Sequence, residues 1–256
     1  MSLIKTPEEI ALMRAAGKRL AFVLHEVTTA ALPGVSAREL DSSAERLIRA
    51  GGDRPAFLDY TPGGARRPYP ATLCVSVNDE VVHGIPNERE KILREGDIVG
   101  FDLGLEHGGF FADMAVTIGV GGIDEPGRRL IEATRGALDA GIAVARAGSH
   151  IGDIGFAVAR FVRKGGFGLV TELGGHSIGR SLHELPFVPN SATRGSGALL
   201  ASGMTICIEP MLCEGSGAVR LDSDGYTFRT RDGRRSAHFE HTILITDGGA
   251  EILTAP

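Results

Sequence analysis

Four carboxylates and one imidazole stand in stretches of this chain that have no structural use for a charge. Asp102 lies in Val99-Gly100-Phe101-Asp102-Leu103 and Asp113 in Phe110-Phe111-Ala112-Asp113-Met114. His176 follows Gly174-Gly175, Glu209 comes late in Ile206-Cys207-Ile208-Glu209-Pro210, and Glu240 sits between Phe239 and His241-Thr242-Ile243. A bare carboxylate buried in such a strand costs several kcal/mol or gives up its charge. Any one of the five also reads as an ordinary polar position on a half-exposed strand. Together they read as one site in which the charges converge on cations, and two clustered divalent ions sharing a water form a hydrolytic device.

The spacing supports convergence. Asp102 and Asp113 are eleven residues apart, on either side of the turn signal Glu106-His107-Gly108-Gly109. A hairpin folded there sets the two aspartates opposite each other on neighbouring strands. Opposed side chains have Cβ atoms about 5 Å apart, the scale of ligands that share a pair of ions.

The elements that must carry these residues repeat. Thr6-Pro7-Glu8-Glu9 is a helix start, with Thr6 as cap, Pro7 at the first helical position and Glu9 closing a capping box. The helix is expected to reach about Thr29; after a break at Pro33-Gly34 a second runs from Ser36 to Ala50 and stops at Gly51-Gly52. The plan recurs 114 residues later, with a helix from Glu125 to Ala145, a break at Gly148, and a helix from Ile151 to Lys164 stopped by Gly165-Gly166. Gly34/Gly148, Ala44/Ala158, Gly51/Gly165 and Gly52/Gly166 coincide at that offset. Strands and turns follow each helix pair. The expected class is α+β, two pseudo-symmetric α-α-β-β halves with the site at their seam. The first half supplies Asp102 and Asp113, the second His176, Glu209 and Glu240. No linker or low-complexity stretch interrupts the chain, so residues 1–256 are expected to form one domain.

Composition excludes several functions. The net charge of −5 is spread along the chain, without the basic patch of a nucleic-acid binder or the polybasic run of a membrane anchor. The start lacks the pattern of a signal peptide, and no apolar run reaches the roughly 18 residues of a membrane span. Three irregularly spaced cysteines, Cys74, Cys207 and Cys213, argue against a disulfide framework and for a reducing cytoplasm. Two further histidines stand out. His83 ends an apolar strand before Gly84-Ile85-Pro86, and His183 lies seven residues beyond His176 in a stretch whose glycines and proline read as a loop. Beside so many metal-type residues, both are candidates for substrate hydrogen bonding and proton handling.

Taken together, Ser76-Val77-Asn78 with His83-Gly84-Ile85-Pro86, the Asp102/Asp113 pair, Gly175-His176-Ser177-Ile178-Gly179-Arg180 with His183-Glu184, Ile208-Glu209-Pro210-Met211 and Ser236-Ala237-His238-Phe239-Glu240-His241-Thr242 resemble a methionine aminopeptidase of the short bacterial type. That group belongs to the larger pita-bread metallopeptidase family, and the likeness covers essentially the whole chain. The resemblance implies the pita-bread fold and a centre of two divalent ions drawn from Mn²⁺, Co²⁺, Fe²⁺ or Zn²⁺. Asp102 would chelate one ion, Asp113 and Glu240 bridge both, and His176 and Glu209 complete the other. Glu209 would be the base, His83 would contact the scissile region, and His183 the substrate carbonyl or tetrahedral intermediate. The implied reaction is hydrolytic removal of an N-terminal methionine followed by a small residue. The implied partner is a peptide or nascent-chain N-terminus, with transient ribosome contact at most, no nucleic acid and no membrane, and the protein a monomer.

The chain departs from the family pattern in places. Ser177 stands for a usual Gly and Val82 for a frequent Cys; in the side-chain pocket Tyr226 stands for Trp and Leu182 for Phe. Tyr69 and Cys74 keep the expected pocket types, whereas Gly63 and Arg66 do not. Two rivals are weighed. An Xaa-Pro aminopeptidase or prolidase usually carries a separate N-terminal domain, whereas this chain begins with the first catalytic-domain helix. A non-catalytic pita-bread binding protein would have lost ligands, and here none is lost. Only thirty residues separate Glu209 from Glu240, too few for the helical insertion of the second methionine aminopeptidase type.

Overall fold

The computed structural model describes residues 3–255. Helix α1 (Pro7–Ala30) opens with the expected reciprocal cap: Glu9 N donates to Thr6 Oγ1 at 3.3 Å and Thr6 N to Glu9 Oε2 at 2.9 Å. Its buried residues, Met13, Ala16, Gly17, Leu20, Ala21, Val23, Leu24 and Val27, recur at helical spacing and form one face. Helix α2 (Ala37–Ala50) starts at a Ser36 cap. Helices α3 (Glu125–Ile142) and α4 (Ile151–Val162) follow the same plan, each ending two or three residues before the expected stop. Gly34 and Gly148 share positive φ (91° and 84°), as do Gly52 and Gly166 (80° and 75°), so the duplicated glycines serve duplicated turns.

The helices pack on a nine-stranded antiparallel sheet. Strands Ile98–His107 and Phe110–Gly119 of the first half lie beside Glu240–Thr246, Thr205–Ile208, Gly174–Ser177 and Glu184–Pro189 of the second. Helix α1 covers the first pair, where Leu20, Leu24, Phe101, Leu103 and Leu105 share a core; α3 and α4 pack on each other and over the second half. No helix among the described residues is long and apolar enough to cross a membrane.

Two expectations need correction. The hairpin turns on Gly108-Gly109 alone, both at positive φ (59° and 87°), between the paired residues His107 and Phe110. That register sets Asp102 opposite Ala115 and Asp113 opposite Gly104, so the aspartates are diagonal neighbours on one face and not directly opposed. In addition, His176 lies in a strand, Gly174–Ser177, and not in a loop. The glycines are there for backbone proximity: a Cβ on Gly175 would lie 2.1 Å from the carbonyl oxygen of Cys207 in the adjacent strand.

Gly175→Ala is therefore expected to lower stability by about 1–3 kcal/mol, the scale of overpacking, or roughly 2–12 °C in Tm. Gly63→Ala, where a Cβ meets nothing within 4 Å, serves as control and should leave Tm unchanged. Thermal denaturation of both variants checks the contrast.

Candidate metal centre

Register gathers the carboxylates. Ala115 pairs with Asp102 on one side and Glu240 on the other, so these three residues form a row across three strands. Paired residues in an antiparallel sheet point to the same face, and Asp113, two positions from Ala115, shares it. The small alanine leaves the middle of the row open. One carboxylate oxygen from each of Asp102, Asp113 and Glu240 falls in a cluster whose members all lie within 4.8 Å of one another.

The second half closes the site. Glu209 follows strand Thr205–Ile208, and its backbone carbonyl accepts from Asn190 Nδ2 at 3.1 Å. His176 Nε2 lies 3.9 Å from Asp113 Oδ2 and 3.8 Å from Glu209 Oε1. His176 Nδ1 is 3.0 Å from the Ser177 carbonyl oxygen, an acceptor only, so Nδ1 carries the proton and the Nε2 lone pair faces the carboxylates. Two threonines join the halves beside the row. Thr242 Oγ1 accepts from Asp113 N at 3.0 Å and donates to Asp113 O at 2.8 Å. Thr117 Oγ1 accepts from His238 N at 2.9 Å and donates to His238 O at 2.7 Å.

The electrostatics show what the cluster can hold. Asp113 and Glu240 are 3% and 2% exposed, and Asp102 Oδ1, Asp113 Oδ1 and Glu240 Oε1 are buried with no hydrogen-bond partner among the described residues. Burial pushes Asp102 up from 3.8 to about 7. Burial, then the charge of Asp102, pushes Glu209 from 4.5 to about 8. Asp113 and Glu240 are raised well above the carboxylate range, first by burial and then by a neighbouring charge, that of Asp102 on Asp113 and that of Asp113 on Glu240. Burial lowers His176 to about 3 and so keeps its imidazole neutral. Unpartnered carboxylate oxygens converging with a neutral imidazole are what a hard or borderline divalent cation requires. The donor set fits a metal centre.

The carboxylates floor a cavity of about 90 Å³. Phe57, Tyr60, Pro62, Tyr69, Cys74 and Tyr226 form its apolar wall, and His83 and His183 stand on its open side. Tyr69 and Tyr226 meet edge to face at 5.1 Å, and the Tyr69 hydroxyl donates to the Gly84 carbonyl at 3.1 Å. His83 adopts a left-handed backbone (φ 58°) ahead of Gly84, which lies too close to the Val75 carbonyl to carry a side chain. His183 Nδ1 lies 2.8 Å from the Tyr60 hydroxyl, and its ring packs edge to face on His176 with centroids 4.4 Å apart. The wall around both rim histidines favours the neutral ring, and His83 feels the charge of His183 in addition.

The expected pocket residues divide. Tyr69, Cys74 and Tyr226 line the cavity, whereas Leu182 is buried in the apolar cluster behind it and faces a neighbouring hollow. A larger ring at 182 would press on that cluster and not fill the pocket. Gly63 and Arg66 do not line it either; Phe57 and Tyr60 do. The segment from Thr61 to Pro68 loops out from a neck where Tyr69 N donates to Tyr60 O at 2.8 Å and Asp59 N to Tyr69 O at 3.0 Å. Sequence spacing cannot count through such a loop. Phe57 has a signal that could have been found: Gly104, opposite Asp113, has no Cβ because one would sit 2.8 Å from the Phe57 ring. His238 was also missed, although a period of two places it with Glu240.

The description of metallopeptidase family M24 matches residues 11–247. The chain belongs to metallopeptidase family M24. Methionine aminopeptidase 1 of Mycobacterium tuberculosis is 43% identical over 252 residues, covering 96% of this chain and 92% of that protein. The crystal structure of methionine aminopeptidase from Thermotoga maritima superimposes with a TM-score of 0.93 at 43% identity, covering 99% of each chain. Prolidase from Pyrococcus furiosus reaches a TM-score of 0.77 at 23% identity over 99% of this chain and 66% of its own, a likeness of fold alone. The pita-bread architecture expected from the sequence is thus the fold of this M24 chain, and divalent metal is its family's cofactor.

Stripping metal from an M24 chain built this way should reverse its pH response. An acid whose folded pKa stands above its unfolded value stabilises the fold fully below the unfolded value and loses that contribution as pH rises through the folded one. For Asp102 the window runs from 3.8 to about 7 and for Glu209 from 4.5 to about 8. Metal-free protein should therefore have a lower Tm at pH 8.5 than at pH 5.5. Saturation with Mn²⁺ should raise Tm most at the alkaline end, because the ion binds the ionised form. Calorimetry at both pH values, with and without chelator, reads both slopes.

Proposed function

We propose that this chain hydrolyses the N-terminal methionine from peptides and nascent proteins whose second residue is small. The observation that carries the proposal is the junction of the donor cluster with a small apolar cavity. Binding pockets for drug-sized ligands usually span about 300–1,000 Å³; a cavity of about 90 Å³ is on the scale of one side chain. Its lining of Phe57, Tyr69, Tyr226 and Cys74 suits a thioether, which gains from contacts with aromatic rings. A pocket sized for one side chain beside the donor cluster suits an exopeptidase that removes a single residue. The likeness to prolidase is one of fold, and no residue of the cavity wall argues for proline.

Asp102, Asp113, His176, Glu209 and Glu240 would hold two divalent ions, Mn²⁺, Co²⁺, Fe²⁺ or Zn²⁺. When bound, the ions supply Lewis acidity that lowers the pKa of the attacking water and polarises the scissile carbonyl. Glu209, at the cavity wall, takes the proton from that water and delivers it to the leaving amine. The Tyr60 hydroxyl lies 2.8 Å from His183 Nδ1; with Tyr60 as donor, the His183 proton would stand on Nε2, where it can bond the substrate carbonyl oxygen and the oxyanion that follows. His83, across the rim, positions the scissile amide. The three cysteines are buried and unpaired, which suits a reducing cytoplasm. There the enzyme would act as a monomer on chain ends, with ribosome contact no more than transient.

The test is a peptide assay of metal-depleted protein resupplied with single divalent ions. Met-Ala-Ser should be cleaved, Leu-Ala-Ser poorly and an Xaa-Pro peptide not at all; preferential cleavage of the Xaa-Pro peptide would overturn the assignment. Glu209→Gln keeps the size and one ligand oxygen but cannot accept the proton. Its kcat should fall at least about 10²-fold, with bound metal verified by elemental analysis.

A further inference from the structure

His238 stands beside the carboxylates on strand Ser236–His238 and has no part in the scheme above. Its side chain is 4% exposed, and Nε2 is buried without a hydrogen-bond partner among the described residues. That nitrogen lies 3.9 Å from Glu209 Oε2 and 3.8 Å from Glu240 Oε2. Both separations exceed hydrogen-bond range, so the ring is aimed at the carboxylates without touching them.

His176 stands in the same relation to the other side of Glu209. Its Nε2 is 3.8 Å from Glu209 Oε1 and 3.9 Å from Asp113 Oδ2. The carboxylate of Glu209 is thus flanked by an imidazole nitrogen at each oxygen, with matching distances. Two donors bound at about 2.0–2.2 Å to one ion can lie no farther apart than the sum of those bonds, and both separations fall inside it. Glu209, His238 and Glu240 each offer a donor atom within one 4.8 Å cluster, as Asp102, Asp113 and Glu240 do. The backbone of His238 is fixed at both N and O by Thr117 Oγ1, so its aim is set by the sheet and not by a mobile rotamer alone.

We infer that His238 is a sixth protein donor of the metal centre, ligating through Nε2 on the Glu209–Glu240 side. This rests on the metal-centre reading above and deepens it. A second imidazole shifts the shell away from oxygen, which favours Co²⁺ and Zn²⁺ over Mn²⁺. The selectivity of this chain would then depend on a residue outside the five-ligand set.

The test uses Co²⁺-loaded protein and proton NMR in water, where each ligated imidazole gives a hyperfine-shifted, exchangeable N–H signal. The wild type should show signals from His176 and His238, and His238→Gln should lose one. In the same variant Co²⁺ affinity, measured by calorimetric titration, should fall about 10–100-fold, a typical cost of disturbing a metal shell, and Mn²⁺ affinity should fall less. An unchanged signal count in His238→Gln overturns the inference, even if affinity drops, because the ring would then only position its neighbours. If the variant does not fold, a crystal structure of Co²⁺-loaded wild type decides: His238 Nε2 within bonding distance supports the inference, and a separation beyond 3 Å overturns it. Wild-type protein that binds no Co²⁺ at all would instead remove the metal-centre reading itself.

Discussion

The mutual repulsion of buried carboxylates is the constraint around which this molecule is organised. Asp102, Asp113, Glu209 and Glu240 converge where water is scarce, and their charge can persist there only if cations answer it. Without cations the groups are driven towards their protonated forms, which neither bind metal nor accept a proton. The fold therefore supports two electrostatic states of one site. The rest of the sheet works to keep four unwilling side chains on one face.

It does so by register. The Asp102–Ala115–Glu240 row exists because the first-half hairpin and the strand Glu240–Thr246 pair in one alignment across the seam. Two residue pairs, Glu240 with Ala115 and His241 with Met114, form that junction within the large sheet, and Phe228 with Val82 and Arg229 with Glu80 join the halves again beside it. The threonine contacts extend it from both sides, one hydroxyl contributed by each half. Small residues complete the arrangement: Ala115 clears the middle of the row, Gly104 admits Phe57 to the pocket wall, and Gly175 lets the His176 strand approach Cys207.

Much of this was legible in the sequence because it is local. The capping box at Thr6, the duplicated breaks at Gly34 and Gly148, and the apolar context of each carboxylate are short-range signals, and the structure carries them. The five expected donors and both rim histidines come together at one cavity. What was misread depended on counting across turns. One residue of uncertainty at Gly108-Gly109 turned a diagonal pair into an opposed one, and Leu182, expected in the pocket, lies in the apolar cluster while Phe57 and Tyr60 line the cavity. The glycines before His176 look like a loop in one dimension and are a close-packed strand in three. His238 required knowing that Ser236–His238 is extended and faces the same cluster as Glu240 two residues later.

The two-pair junction beside the donors has a consequence for any population of these chains. Side chains alternate faces along a strand, so a slip of one residue between the halves would turn a whole set of donors to the far side of the sheet. Such a molecule could keep its helices, its hairpin and most of its core, and still offer no place for an ion. At saturating concentration, bound metal is in that sense a census of correctly assembled seams. A preparation with native circular dichroism that added metal cannot bring to full occupancy would contain misassembled chains alongside native ones, and its apparent kcat at saturating metal would measure the proportion between them.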